Sequence, residues 1–175
     1  MLLRLLPPLC ALVATVACSP ALNWREVEGV AEQRWWFPCK PERVERQVTL
    51  QGHLVPARLA ACDAQGASWS NLAMEFPSPA EAAAALAVAR TSLMANLQAE
   101  ERAPPQGVAV QAPRGPLWLS GHRSGGEAVT AAARFQVQGR WVVQQVLLAP
   151  AAGDWPRVLD DGALQTFFDG SFPQR

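Results

Sequence analysis

Three runs of alternating residues, separated by two short turns, leave the middle of this chain few ways to fold. In the first, Val44, Arg46, Val48 and Leu50 alternate with Arg43, Glu45, Gln47 and Thr49. Gln51-Gly52-His53 reads as a turn, and Leu54 to Ala61 returns as a second strand. Asp63-Ala64-Gln65-Gly66 reads as another turn before a third alternating run, Ser68 to Phe76. Period two places successive side chains on opposite faces of a sheet, and turns this short join antiparallel neighbours. Residues 44–76 are therefore expected to form three consecutive antiparallel strands.

The period then changes. Ser78-Pro79-Ala80-Glu81 is a capping box with proline at the first helical position. Ala82, Leu86, Ala89, Leu93 and Leu97 follow at spacings of three or four and form one apolar stripe. A helix over about 78–100 is expected, stopped by Ala103-Pro104-Pro105. Pro116 to Gly121 reads as a short strand. Glu127 to Val137 and Trp141 to Leu148 read as a long hairpin turning at Gly139. The second of these is apolar on both faces, as a central strand would be. Asp154-Trp155-Pro156 opens a last helix over about 155–169, with Val158, Leu159, Leu164, Phe167 and Phe168 as its buried side. The expected class is α+β, an antiparallel sheet flanked by two main helices.

The first 17 residues have a different use. Arg4 is the only charge before an apolar run from Leu5 to Ala17, and Cys18 follows directly. That is the layout of a secretory signal ending at a lipoprotein cleavage site. The run is short for a membrane span and contains Pro7-Pro8. Acylation of Cys18 would give a membrane anchor, and Ser19 after it resembles the sorting signal for an outer membrane. Ordinary cleavage after Ser19-Pro20-Ala21 is the competing outcome, though Pro20 makes it a poorer site. The expected organisation is a signal at 1–17, a lipidated tether at 18–32 that includes a first strand or turn, and one domain over 33–175.

Loss of Arg4 leaves 14 basic against 15 acidic residues, and only Lys40 is a lysine. A charge near neutral gives no basic face for nucleic acid. Cys10 leaves with the signal, so Cys39 and Cys62 remain as a pair. In an oxidising compartment a disulfide is the simplest outcome. There is no Cys-x-x-Cys redox motif, and the two cysteines with His53 and His122 lack zinc-finger spacing.

Phe37-Pro38-Cys39-Lys40-Pro41 near the start of the domain, the helix, the late hairpin and the terminal Phe167-Phe168-Asp169-Gly170-Ser171-Phe172 resemble small bacterial envelope proteins with a PsbP-like α/β/α sandwich. Leu22-Asn23-Trp24-Arg25-Glu26-Val27 behind the cleavage site resembles a group of Gram-negative lipoproteins. The resemblance implies the antiparallel sheet with flanking helices and no activity, and related folds mostly serve as accessory or assembly factors for membrane complexes.

No stretch carries a catalytic signature. Ser120-Gly121-His122-Arg123-Ser124-Gly125-Gly126 lacks the phosphate-loop pattern, and Ser120 lacks the hydrolase elbow. His53, His122 and the pair Asp160-Asp161 read as solvated residues. The seven tryptophans, Trp24, Trp35, Trp36, Trp69, Trp118, Trp141 and Trp155, read as core. The expectation is a lipid-anchored, non-enzymatic interaction module without cofactor or metal, on the periplasmic side of an envelope membrane with a protein partner. The alternative is a carrier of a small apolar ligand between sheet and helices.

Overall fold

The computed structural model describes residues 22–106, 108, 115–152, 155 and 162–170. Its frame is set by two-residue turns. Gln51 (φ 48°) and Gly52 (φ 81°) join β3 (Glu42–Leu50) to β4 (His53–Ala64), and Gln65 (φ 54°) and Gly66 (φ 76°) join β4 to β5 (Ala67–Glu75). Two successive left-handed residues make a type I′ turn, whose twist matches paired strands. β4 therefore runs three residues past the expected end at Ala61, and Asp63 and Ala64 pair with Ser68 and Ala67 rather than lying in a turn. The remaining strands of this sheet are β6 (Glu100–Glu101), β7 (Leu117–His122), β8 (Ala128–Gln138) and β9 (Trp141–Pro150). They complete an antiparallel seven-stranded order, β3-β4-β5-β9-β8-β7-β6. β9 is the fourth of the seven, as its two-sided apolar sequence requires.

Helix α1 (Pro79–Asn96) crosses one face. The backbone N–H of Glu81 donates to the Ser78 hydroxyl at 3.3 Å, completing half of the expected box. The hydroxyl in turn donates to the Glu81 carboxylate at 2.8 Å, so that carboxylate holds the hydroxyl rather than a free amide. The helix stops four residues short of 100. Leu97 caps it and Gln98 turns left-handed (φ 47°), releasing Glu100 and Glu101 to pair with β7. Ala82, Ala85 and Ala89 bring α1 close to Met74 and Val142, with Leu93, Met94 and Leu97 over Leu119 and Val146. At the far end, a Cβ on Gly121 would lie 2.4 Å from the Leu97 carbonyl oxygen, so only glycine lets β7 approach there.

The opposite face is covered by a second, two-stranded sheet, β1 (Arg25–Glu28) with β2 (Arg34–Phe37), and by α2 (Ala163–Asp169). The stretch expected to be a tether with a first strand or turn thus supplies β1, and Val30 is buried. Trp155 is helical and buried beside Trp118, with ring centroids 5.3 Å apart. The remainder of the expected 155–169 helix before residue 162, including Asp160-Asp161, lies outside the described residues, as do Cys18 and the signal. Trp35, Phe37, Trp69, Trp118, Trp155, Phe167 and Phe168 form the core of this face. No helix among the described residues is long and apolar enough to cross a membrane.

Candidate functional site

Period two sorts the sheet's polar residues as well as its apolar ones. On the face that carries α2, β8 contributes Arg134 and Gln136, β9 contributes Gln145 and β5 contributes Asn71, with Asn71 opposite Gln145 and Arg134 opposite Gln145 on its other side. Gln145 is buried; its Nε2 donates to the Phe167 carbonyl at 3.0 Å, and its Oε1 accepts from Gln136 at 3.3 Å. Arg134 bonds Asp169 and lies 5.1 Å over the Phe168 ring. These groups pin α2 to the sheet and line an open polar cleft of about 630 Å³ with Gln33, Arg34 and Trp35. Its polar side chains are amides, guanidinium groups and one carboxylate already paired to Arg134. Gln145 and Arg134 bond the Phe167 carbonyl and Asp169 of α2, so these groups hold that helix on the sheet. Asn71 is 0% exposed, and its amide atoms have no partner among the described residues.

A second cleft lies on the α1 side, between the N-terminal half of α1 and the β3–β4 hairpin. Its volume is about 740 Å³. Leu50, Leu54, Val55, Phe76, Ala85 and Val88 line it, and the Glu75–Arg140 ion pair stands at the rim. Leu54 is 65% exposed, the most open large apolar side chain described. β3 and β4 extend past the cover of the helices here: Glu42 to Gln47 are exposed without interruption, and Val44 is 48% exposed.

Of the residues singled out in the sequence, the structure brings Cys39 and Cys62 together and leaves the histidines apart. Cys39 and Cys62 are joined in a disulfide, with Cα atoms 6.1 Å apart. His53 begins β4 and His122 ends β7, four strand positions apart, or roughly 19 Å across the sheet at the usual strand spacing. Ser120 and His122 are exposed strand residues on β7, so the expected glycine-rich connection narrows to 123–127, closed by Arg123 N–H to the Glu127 carbonyl at 2.9 Å. Among the described residues no group of three His, Cys, Asp or Glu side chains could hold a metal ion. Of the tryptophans, Trp35, Trp69, Trp118, Trp141 and Trp155 are buried and Trp24 and Trp36 half-buried.

Neither cleft was singled out in the sequence. The signal for the polar one is Arg134-x-Gln136 in β8, facing Gln145 in the next strand. The signal for the apolar one is Arg46 in the apolar phase of β3, which marks that face as wet. Compared with known protein families, characterised proteins and solved structures, the chain matches none.

Proposed function

We propose that this chain is an envelope lipoprotein, anchored through Cys18, that works as a non-catalytic accessory module by docking an apolar segment of another envelope protein into the cleft between α1 and the β3–β4 hairpin. The observation that carries the reading is the open apolar cleft itself, lined by Leu50, Val55, Phe76 and Val88, with the exposed Leu54 at its rim. Uncovered apolar surface of this kind marks interaction sites on soluble domains. The indoles of Trp35, Trp69, Trp118 and Trp155 fill the space between the sheet and its cover, which favours docking over carriage of a small ligand. Anchoring rests on the cleavage-site sequence before Cys18. A PsbP-like sandwich and an outer-membrane address remain part of this reading.

A photo-crosslinking residue in place of Leu54, irradiated in intact cells, should yield one dominant adduct with another envelope protein. Ala84→Arg, which fills the cleft from an exposed helix position, should remove that adduct. The same probe at Glu100, on the far edge of the sheet, should give none. No adduct at 54, or one indifferent to Ala84→Arg, overturns the docking reading. The anchor has its own check: an alkyne-tagged palmitate should label the wild-type chain, and Cys18→Ser should abolish the label. Equal labelling of both would exclude Cys18 as the acylated residue.

A further inference from the structure

Among the described residues β3 is an edge strand, with no strand paired on its outer side. Its pairing with β4 fixes which backbone groups that edge offers. The two-residue turn makes Leu50–His53 a hydrogen-bonded pair, so residues 50, 48, 46, 44 and 42 turn their N–H and C=O groups toward β4. Those of Arg43, Glu45, Gln47 and Thr49 point outward, with no backbone partner among the described residues. A row of open backbone groups is a template for another strand, and proteins seldom leave one nine residues long uncovered.

The side chains select the partner. In an antiparallel pairing of β3 with a second β3, outward-facing residues must meet outward-facing residues, which permits only every other register. Centred on Val44, the pairing sets Glu42 against Arg46 and Arg43 against Glu45, each twice by symmetry. Moving the centre by one permitted step either way puts Arg43 against Arg43 or Glu45 against Glu45. Centring on Arg46 opposes it to itself. Like charges directly opposite oppose pairing and unlike charges favour it. Glu42 and Arg46 make no ion pair among the described residues, while Glu45 meets Arg58 at 3.2 Å.

The apolar pattern agrees. Leu72, Leu59 and Val44 lie side by side across β5, β4 and β3 on the α1 face, and this row runs to the edge of the sheet, where Val44 is 48% exposed. A second copy centred on Val44 continues it as Leu59, Val44, Val44 and Leu59. Pro41, which has no N–H, limits the pairing to about residues 41–47.

We infer that the chain self-associates through β3, in an antiparallel pair centred on Val44, joining the two seven-stranded sheets edge to edge. The inference does not depend on the anchor or on the cleft. Val44 would then face its own copy in a non-hydrogen-bonded pair, where Cβ atoms come close enough to be bridged.

In the full-length chain, Val44→Cys under mild oxidation should give a linked dimer at least ten times faster than Gln47→Cys, which lies off the axis. Adding Arg46→Glu to Val44→Cys should cut that yield at least tenfold, because the new carboxylate would oppose that of Glu42. Adding Glu42→Arg as well should restore at least half of it, since the reversed pair is again complementary. All these positions are exposed, and a melting temperature within about 2 °C of wild type confirms that each variant folds. Equal rates at 44 and 47, insensitivity to Arg46→Glu, or no rescue by the charge swap overturns the pairing. So does a Val44→Cys chain that links only to a different protein.

Discussion

Trp69→Ala should lower the melting temperature by roughly 6–20 °C, the largest loss expected from truncating one side chain of this core. Trp69 is 0% exposed at the middle of the α2 face. It lies opposite Cys62 on β4 and Leu147 on β9, and its ring meets Trp24 at 6.0 Å and Phe167 at 5.2 Å, both edge-on. Its indole N–H donates to the Ala64 carbonyl at 3.3 Å. Two effects could dominate the loss. A buried indole removes about 150–250 Å² from water, worth roughly 4–6 kcal/mol at about 25 cal/mol per Å². The hydrogen bond contributes about 0.5–1.5 kcal/mol net. Packing wins, and a Trp→Ala change in a core typically costs about 3–5 kcal/mol. For a domain of this size, each kcal/mol moves the melting point by about 2–4 °C.

Two comparisons separate these effects. Trp69→Phe keeps an aromatic ring and loses the hydrogen bond, so it should cost less than half as much as Trp69→Ala. Leu54→Ala, at an exposed site, should stay within about 0.5 kcal/mol of wild type. Chemical denaturation followed by circular dichroism measures all three. A cost below about 1 kcal/mol for Trp69→Ala would mean that the aromatic cluster is not what holds the β1–β2 sheet and α2 to the main sheet.

Much of this arrangement is written locally, and the part that is not has a physical reason. Alternation and turn residues are short-range signals, so β3, β4 and β5, the hairpin at Gly139 and the cap at Ser78 could be read directly. The pairing of β9 with β5 was legible only as centrality, because it depends on contacts more than sixty residues apart. The end of α1 was misplaced because Gln98 takes a left-handed turn that residue type does not announce. The clefts lay deeper still. An apolar cleft exists where one element stops covering another, and the sequence of Leu54 and Val55 is the same whether or not a helix reaches them. Only the path of α1, held toward β8 and β9 by Ala82, Ala85, Ala89 and Gly121, leaves the outer part of the hairpin, Leu54 and residues 42–47, bare.

That bare hairpin makes the disulfide matter. Cys39 lies between β2 and β3, Cys62 lies in β4, and their separation of 23 residues encloses β3 and most of β4. Removing both, Cys39→Ser with Cys62→Ser, should cost roughly 3 kcal/mol by the loop-closure entropy of such a loop. The melting temperature should fall by about 6–12 °C. The cost has a second, local consequence. The inner strands of the sheet are held by packing on at least one face as well as by their ladders, but Glu42 to Gln47 are exposed and rely on pairing with β4. The bridge ties the start of this wing to the strand that backs onto Trp69. In the double variant, backbone amides of residues 42–47 should therefore exchange with solvent faster than the global loss of stability accounts for, while those of β9 should follow global unfolding. Equal acceleration in β3 and β9 would show that the bridge acts only on the unfolded chain. A melting temperature within about 2 °C of wild type would show that the ladder alone holds the wing. If the wing does loosen, pairing of β3 with a second copy should weaken with it, because a partner strand can add only to an edge that is already straight.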